Sequence, residues 1–304
     1  MILVDRNVDR AREMARIFGI SRVVADYDEI VDRVDGAVVA VPHKYHYGIA
    51  LDCIKRGLHV LCEKPLAERA EQGEELVTEA RKAGVAIALN NTRRLYPYAQ
   101  RLKSMIVAGE LGEIRSLDWE EGEPFGWPCA SASFFGTAAD SRGVITDKGA
   151  HVLDLICWWL GARPELVDYA DDSLGGTEAV AEMSLVHGAV TGRVKLSWFS
   201  KLRNTFRVVG SAASVEGRIY DWSTLFVTPV GGRRRLLQLK DPTAGDFAKP
   251  LVQNFLQVIS EGAAPLVSGA DVLPSLELID ECYARRTPFA MPWNDTFARV
   301  TENV

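Results

Sequence analysis

Two short stretches of this chain carry side chains able to move a proton. The first is Thr146-Asp147-Lys148-Gly149-Ala150-His151-Val152-Leu153-Asp154. If a helix starts near Asp147, the i, i+4, i+7 spacing sets Asp147, His151 and Asp154 on one face and turns Val152, Leu155, Ile156 and Trp159 to a core. A carboxylate beside an imidazole is an acid–base unit, because imidazole titrates near neutrality and a neighbouring charge tunes it. The same residues also read as a buried histidine satisfied by a local carboxylate, and spacing leaves the two readings level. D-x-x-x-H lacks the third and fourth ligands of a zinc site, so no metal is expected. The second stretch, Glu63-Lys64-Pro65, follows directly on the apolar run His59-Val60-Leu61-Cys62. It puts a lysine at the carboxyl end of a parallel strand, where open α/β sheets bind ligands. In isolation the tripeptide is an ordinary solvated turn.

The elements that must position these groups fall into two textures. From Met1 to about Leu89, short apolar runs (Ile2-Leu3-Val4, Val23-Val24-Ala25, Ala37 to Val41, His59 to Cys62, Val85 to Leu89) alternate with helical stretches ended by Gly19, Gly57 and Gly84. Strand then helix, with continuous rather than alternating apolar runs, predicts a parallel sheet covered on both faces. After Thr92-Arg93-Arg94 and a helix from about Pro97 to Ala108, period-two strands take over from Glu113 to about Leu239. Val190, Gly192, Val194, Leu196 and Trp198 share one face, and His187-Gly188 forms the turn before them. Helices are expected again at Phe247 to Ser260 and Asp271 to Ala284, with a closing strand at Pro288 to Pro292. The fold class is α/β: a Rossmann-like domain over residues 1–92 and an α+β substrate-binding domain over 93–304 with a large, mostly antiparallel sheet.

Composition narrows the function classes. The 304 residues are 47% hydrophobic and 25% charged, which describes a folded chain with a sizeable core. With 35 basic against 41 acidic residues the net charge is −6, and no basic stripe is present, so nucleic acid is excluded as a partner. The five cysteines are odd in number, scattered and expected to be reduced. No apolar stretch reaches the roughly 18 residues that span a bilayer, and the first residues lack a signal-peptide pattern, so a cytoplasmic protein without a membrane partner is expected.

The chain resembles the glucose–fructose oxidoreductase, inositol dehydrogenase and rhizopine-catabolism (Gfo/Idh/MocA) family of sugar and cyclitol dehydrogenases. The resemblance rests on Val41-Pro42-His43-Lys44-Tyr45-His46, the run Gly57 to Pro65 ending in E-K-P, Asn91-Thr92-Arg93-Arg94, Gly109 to Ile114, and D-x-G-x-H-x-x-D at Asp147 to Asp154, with Lys148 in the first open position. It implies hydride exchange between a nicotinamide cofactor and a secondary alcohol of a small polyhydroxylated substrate. By the same resemblance Lys64, Asp147 and His151 are catalytic: His151 accepts the hydroxyl proton, Lys64 polarises the oxygen and Asp147 orients the pair. Glu63 and Pro42 match positions lining the nicotinamide end, Lys64-Pro65 is often a cis bond in the family, and Asp5 matches the carboxylate that holds the adenosine ribose. That favours NAD, while Arg6 beside it leaves NADP open.

One departure stands out. The family's opening strand, G-x-G-x-x-G turn and helix have no counterpart, because Met1 opens what would be its second strand, so a βα unit of about 30 residues is expected to be missing. Gly231-Gly232-Arg233-Arg234-Arg235 does not replace it and reads as a charged hairpin turn. The strands at Ile2 and Val23 should then lack their inner neighbour, and the backbone N–H groups that grip a pyrophosphate should be lost. Two further readings follow: a redox-neutral lyase, epimerase or cyclase that holds no dinucleotide and uses the same residues for proton transfer, or a non-catalytic partner subunit.

Around the cleft, Arg94, Trp127 and Asp154 are candidate substrate contacts, each with a structural alternative: an ion pair for Arg94, an interface plug for Trp127, a local partner of His151 for Asp154. His46 is a candidate cofactor-lining residue and His43 is expected to be solvated. If the antiparallel sheet has an exposed apolar face, a homodimer or homotetramer through it is expected.

Overall fold

The computed structural model describes residues 1–126, 142–173, 176–241 and 243–290. The N-terminal part alternates β1 (Leu3–Val4), α1 (Val8–Phe18), β2 (Val23–Val24), β3 (Gly36–Val39), α2 (His46–Lys55), β4 (His59–Cys62), α3 (Ala70–Ala83) and β5 (Ile87–Leu89). Local chemistry sets the ends. The Asn7 side chain accepts the Arg10 N–H at the start of α1, and Gly19 and Gly84 close α1 and α3 in the left-handed conformation that an L side chain resists.

All pairing here is parallel, as expected, but it falls into two sheets. β1 pairs with β2, and β3, β4 and β5 form a second sheet in that order. Among the described residues no ladder joins β1 to β3. The apolar strands pack against helices from the far end of the chain, α7 (Ala248–Glu261) and α8 (Gly269–Ala284). Leu251, Val267, Val272 and Leu276 share one core with Val39, Val60, Cys62 and Leu76. The approach of α7 is close enough that a Cβ on Gly36 would lie 2.7 Å from the Ile259 side chain.

Between these parts lie α4 (Pro97–Val107), β6 (Ile114–Gly122), α5 (Val144–Asp147), α6 (Gly149–Leu160), β7 (Glu165–Asp171), β8 (Val180–His187), β9 (Val190–Ser197), β10 (Thr205–Gly210), β11 (Ala213–Arg218), β12 (Asp221–Pro229) and β13 (Arg235–Gln238). With β14 (Thr287–Pro288) they build a nine-stranded sheet in the order β13-β12-β11-β10-β6-β9-β8-β7-β14, antiparallel except at β6–β9 and β7–β14. β8 and β9 form the expected hairpin, with His187 opposite Val190 across Gly188-Ala189.

One face of this sheet is the larger core. Trp119 of β6 stacks on Phe206 of β10 at 5.3 Å, and Trp159 of α6 closes on both. The Trp159 indole N–H donates to the Ala99 carbonyl at 3.1 Å, which ties α6 to α4. The opposite face is polar, as the alternation of Arg193 and Lys195 with apolar residues along β9 implies, so the condition set for an oligomer through an exposed apolar face is not met there. In one row across the strands stand Glu216, Arg207, Asp118 and Arg193, and in the next Glu120, Lys195 and Glu182. Opposite charges on neighbouring strands stabilise such a row and leave no contiguous apolar patch on it.

Because Trp159 locks the helix that carries His151 to the sheet, Trp159→Ala should cost about 3–5 kcal/mol in a urea denaturation series. A loss within the scatter of surface substitutions would count against this packing.

Candidate active site

Lys64 stands at the carboxyl end of β4, followed by a cis peptide bond to Pro65. Its ammonium donates to the Asp147 carboxylate Oδ1 at 2.6 Å and to the Asp147 carbonyl at 3.1 Å. The other carboxylate oxygen of Asp147 accepts the Trp198 indole N–H at 3.1 Å. Burial alone would raise the Asp147 carboxyl, but the Lys64 charge and these hydrogen bonds outweigh it and hold the group below its ordinary range.

The turn presenting Asp147 is itself pinned. Glu178, fully buried, accepts the Gly143 and Ile145 backbone N–H groups at 2.9 and 3.1 Å and the Tyr283 hydroxyl at 2.8 Å. These are helix-terminus donors that would otherwise lack partners. Position 143 must be glycine for this fit, since a Cβ there would come within 2.0 Å of the Glu178 carbonyl oxygen.

His151 lies in the first turn of α6. Its Nδ1 meets the Asn91 Oδ1 at 2.9 Å. An amide oxygen only accepts, so in this arrangement Nδ1 carries the proton and Nε2 keeps its lone pair. Burial holds the imidazole well below its ordinary proton affinity, and the charges of Lys64, Arg93, His43 and Lys148 add to the effect, with Lys64 the strongest of the four. His151 is therefore neutral at neutral pH. Lys64 lines one small cleft with Asn91, the partner of His151, and with Ala150, the residue before it.

The helix expected to carry Asp147, His151 and Asp154 on a single face is interrupted at Lys148: α5 ends at Asp147 and α6 begins at Gly149. Asp154 is fully buried and forms a two-pronged pair with Arg94, at 2.8 and 2.6 Å. Arg94 also donates to the Asp271 carbonyl at 3.1 Å. Both substrate-contact expectations are thus corrected: the pair joins the segment after β5 to α6 and to α8. Trp127 lies outside the described residues.

On the expected cofactor side, Glu63 accepts the Asn90 amide N–H at 2.5 Å and Pro42 is exposed after β3. The Asn90 Oδ1, at the end of β5, is buried with no partner among the described residues. Asp5 accepts the Asn7 backbone N–H at 2.8 Å and pairs with Arg10, while Arg6 is exposed. His46 does not line a cleft. It is fully buried, with Nδ1 2.7 Å from the Pro65 carbonyl and Nε2 2.8 Å from the Val41 carbonyl, and so braces the turns after β3 and β4. His43, expected to be solvated, is partly buried with its ring edge on His46 at 5.6 Å.

Asn91, Trp198 and Glu178 were not legible as site residues. Asn91 belongs to the N-T-R-R stretch, but nothing in that stretch couples it to a histidine 60 positions away. Among the described residues no group of three or more His, Cys, Asp or Glu could hold a metal ion, and no helix is long and apolar enough to cross a membrane.

A pH test follows from burial. His43 is pushed down from 6.5 to about 4, first by burial and then by the Lys64 charge. The folded state then resists a proton that the unfolded chain takes up, so this stability is complete above pH 6.5 and is lost as pH falls toward 4. Urea titrations should show His43→Gln losing less stability than the parent over that window, by up to roughly 1.4 kcal/mol per pH unit. Parallel curves would refute the assignment.

Comparison with known proteins bears on the whole arrangement. Residues 1–91 match the family described as "Oxidoreductase family, NAD-binding Rossmann fold", and residues 99–216 match "GFO/IDH/MocA C-terminal domain". Trans-1,2-dihydrobenzene-1,2-diol dehydrogenase of Oryctolagus cuniculus is 30% identical over 211 residues, 68% of this chain and 63% of that protein, and the Sus scrofa enzyme is 28% identical over 211 residues. The match thus spans just under two thirds of these curated relatives. Among solved structures, KijD10, a 3-ketoreductase from Actinomadura kijaniata in complex with NADP and TDP-benzene, has a TM-score of 0.81 at 23% identity, covering 96% of this chain and 91% of that one. Aldose-aldose oxidoreductase from Caulobacter crescentus, complexed with glycerol, has a TM-score of 0.82 at 22% identity, covering 93% and 88%. At such identities these structures establish the fold, and with both of its domains matched in sequence the chain belongs to the Gfo/Idh/MocA oxidoreductase family.

Proposed function

We propose that this protein is a nicotinamide-dependent oxidoreductase acting on a secondary alcohol, or the corresponding ketone, of a small polyhydroxylated compound. The observation that supports the reading is the Lys64–Asp147 contact at 2.6 Å, together with a buried His151 whose proton affinity the Lys64 charge lowers more than any other charge does.

Each side chain has a physical task. With Nδ1–H held by Asn91, the Nε2 lone pair of His151 is the acceptor for a hydroxyl proton in oxidation, and gives that proton back in reduction. Asp147 occupies two of the three Lys64 N–H donors and fixes the ammonium in place. A cation fixed in this place stabilises negative charge growing on the substrate oxygen.

The residues at the strand ends fit a nicotinamide. The orphaned Asn90 Oδ1 is an acceptor suited to a carboxamide N–H, and Glu63 lies beside it. Asp5 and Arg6 flank the adenosine end on this reading, with NAD and NADP both compatible. When bound, the cofactor supplies the hydride acceptor or donor, and the residues above handle the proton and the oxygen. A homo-oligomer would use the polar ladder face only through complementary charges.

The test is direct. NADH and NADPH titrations followed by fluorescence should saturate at micromolar levels, and a panel of cyclic and acyclic polyols should reveal turnover. Lys64→Ala and His151→Ala should lower kcat/KM by about 10²–10⁴ with the fold intact. Protein that binds neither dinucleotide, or variants with parental rates, would overturn the proposal. Asn91→Asp should move the acid limb of the pH profile upward, because a carboxylate at Nδ1 favours the imidazolium. An unmoved limb would mean that Asn91 does not set the protonation of His151.

A further inference from the structure

Lys148 is the residue between Asp147 and α6, and its side chain is only 13% exposed. An ammonium has three donors and loses strong hydration when covered, so a nearly buried lysine is normally held by short contacts to acceptors. Here, among the described residues, its polar neighbours are the Tyr220 hydroxyl at 3.3 Å and the Glu121 Oε1 at 3.7 Å. The first is a long hydrogen bond and the second lies beyond hydrogen-bond range.

Glu121 does not need this lysine. It is fully buried and takes both prongs of Arg93 at 2.7 Å, the Trp119 indole N–H at 3.2 Å and the Tyr220 hydroxyl at 3.3 Å. Glu123, further along the same segment, is bound by Asn204 at 2.7 Å. Asp147 belongs to Lys64. Lys64, Arg93 and Lys148 therefore face two carboxylates that the first two already satisfy. The position of Lys148 also disfavours protonation of His151, its neighbour one turn on. Tyr220 completes the arrangement, with a half-exposed ring whose hydroxyl is fixed by Glu121 and Lys148.

We infer that Lys148 binds a carboxylate of the substrate, so that the compound handled by this protein is a hydroxy acid of the polyol type, such as a uronate or aldonate, rather than a neutral sugar. This rests on the proposed oxidoreductase reading for the place of the reacting carbon, but the covered lysine, with one long hydrogen bond among the described residues, stands without it. Among the described residues, the single surplus positive charge of this cluster matches one carboxylate. A phosphate monoester would bring about two negative charges and is normally met by several N–H groups or a planar arginine fork. Bound there, the carboxylate would also offset the cations around His151 and restore its strength as a base.

Calorimetric binding to the full chain, with NADH present and absent, tests the idea on matched pairs: glucose and glucuronate, galactose and galacturonate, and the corresponding sugar phosphates. At least one acid should bind about tenfold or more tightly than its parent sugar. Lys148→Gln should abolish that preference in a protein that still unfolds cooperatively, and Lys148→Arg should keep part of it. Where turnover is measurable, the acid limb of kcat for the acid should lie above that of kcat/KM in the parent protein and not in Lys148→Gln. No acid preference in any pair, a preference that survives in Lys148→Gln, or tighter binding of the phosphates would overturn the inference. An acid preference without dinucleotide binding would sink the oxidoreductase reading and leave this one standing.

Discussion

The contact between the Lys64 ammonium and the Asp147 carboxylate joins residues 83 positions apart, one at the end of a parallel strand and the other in a turn beside the large sheet. An ion pair taken partly out of water is stable only if its remaining donors and acceptors are also met. Here the Asp147 carbonyl takes a second Lys64 N–H and Trp198 serves the second carboxylate oxygen. The rest of the architecture keeps these two ends in register. Glu178 holds the start of the turn, the Arg94–Asp154 pair fixes α6 against the segment after β5, and Trp159 seats α6 on the sheet.

The arrangement contains an electrostatic tension that its chemistry can use. Cations beside a proposed base weaken it, yet one of them, Lys64, is the group suited to stabilise an oxyanion. Asp147 reduces the conflict by sharing the Lys64 charge, and Asn91 holds the imidazole by its Nδ1–H, which leaves the lone pair on Nε2. What remains is the charge of Lys148, with no short partner among the described residues. Substrate selection on this view is part of tuning the base.

Much of the framework was readable before any coordinates. The apolar runs became β1 to β5, the period-two stretch became β9, and the glycines at 19 and 84 closed their helices, because these features are local and repeat at the strand and helix periods. What failed did so for long-range reasons. Asp154 looked like a third member of the acid–base face because helical spacing fixes direction but not depth, and at that depth a carboxylate requires a cation, which Arg94 provides from another segment. The polar face of the large sheet was readable from the alternation along β9, but only the assembled strand order shows that Arg207, Asp118 and Arg193 alternate in one row.

The primary structure by itself determined which chemistry was available: a lysine at a strand end, a carboxylate and an imidazole four residues apart, and the family these motifs resemble. Tertiary structure decided which of those groups meet and in what state. Asn91 becomes the partner of His151, His46 withdraws into a brace between two turns, and Lys148 is covered without a short contact. The reason is physical: proton affinity and charge balance depend on distance and burial, and both arise only when segments remote in the chain are packed together.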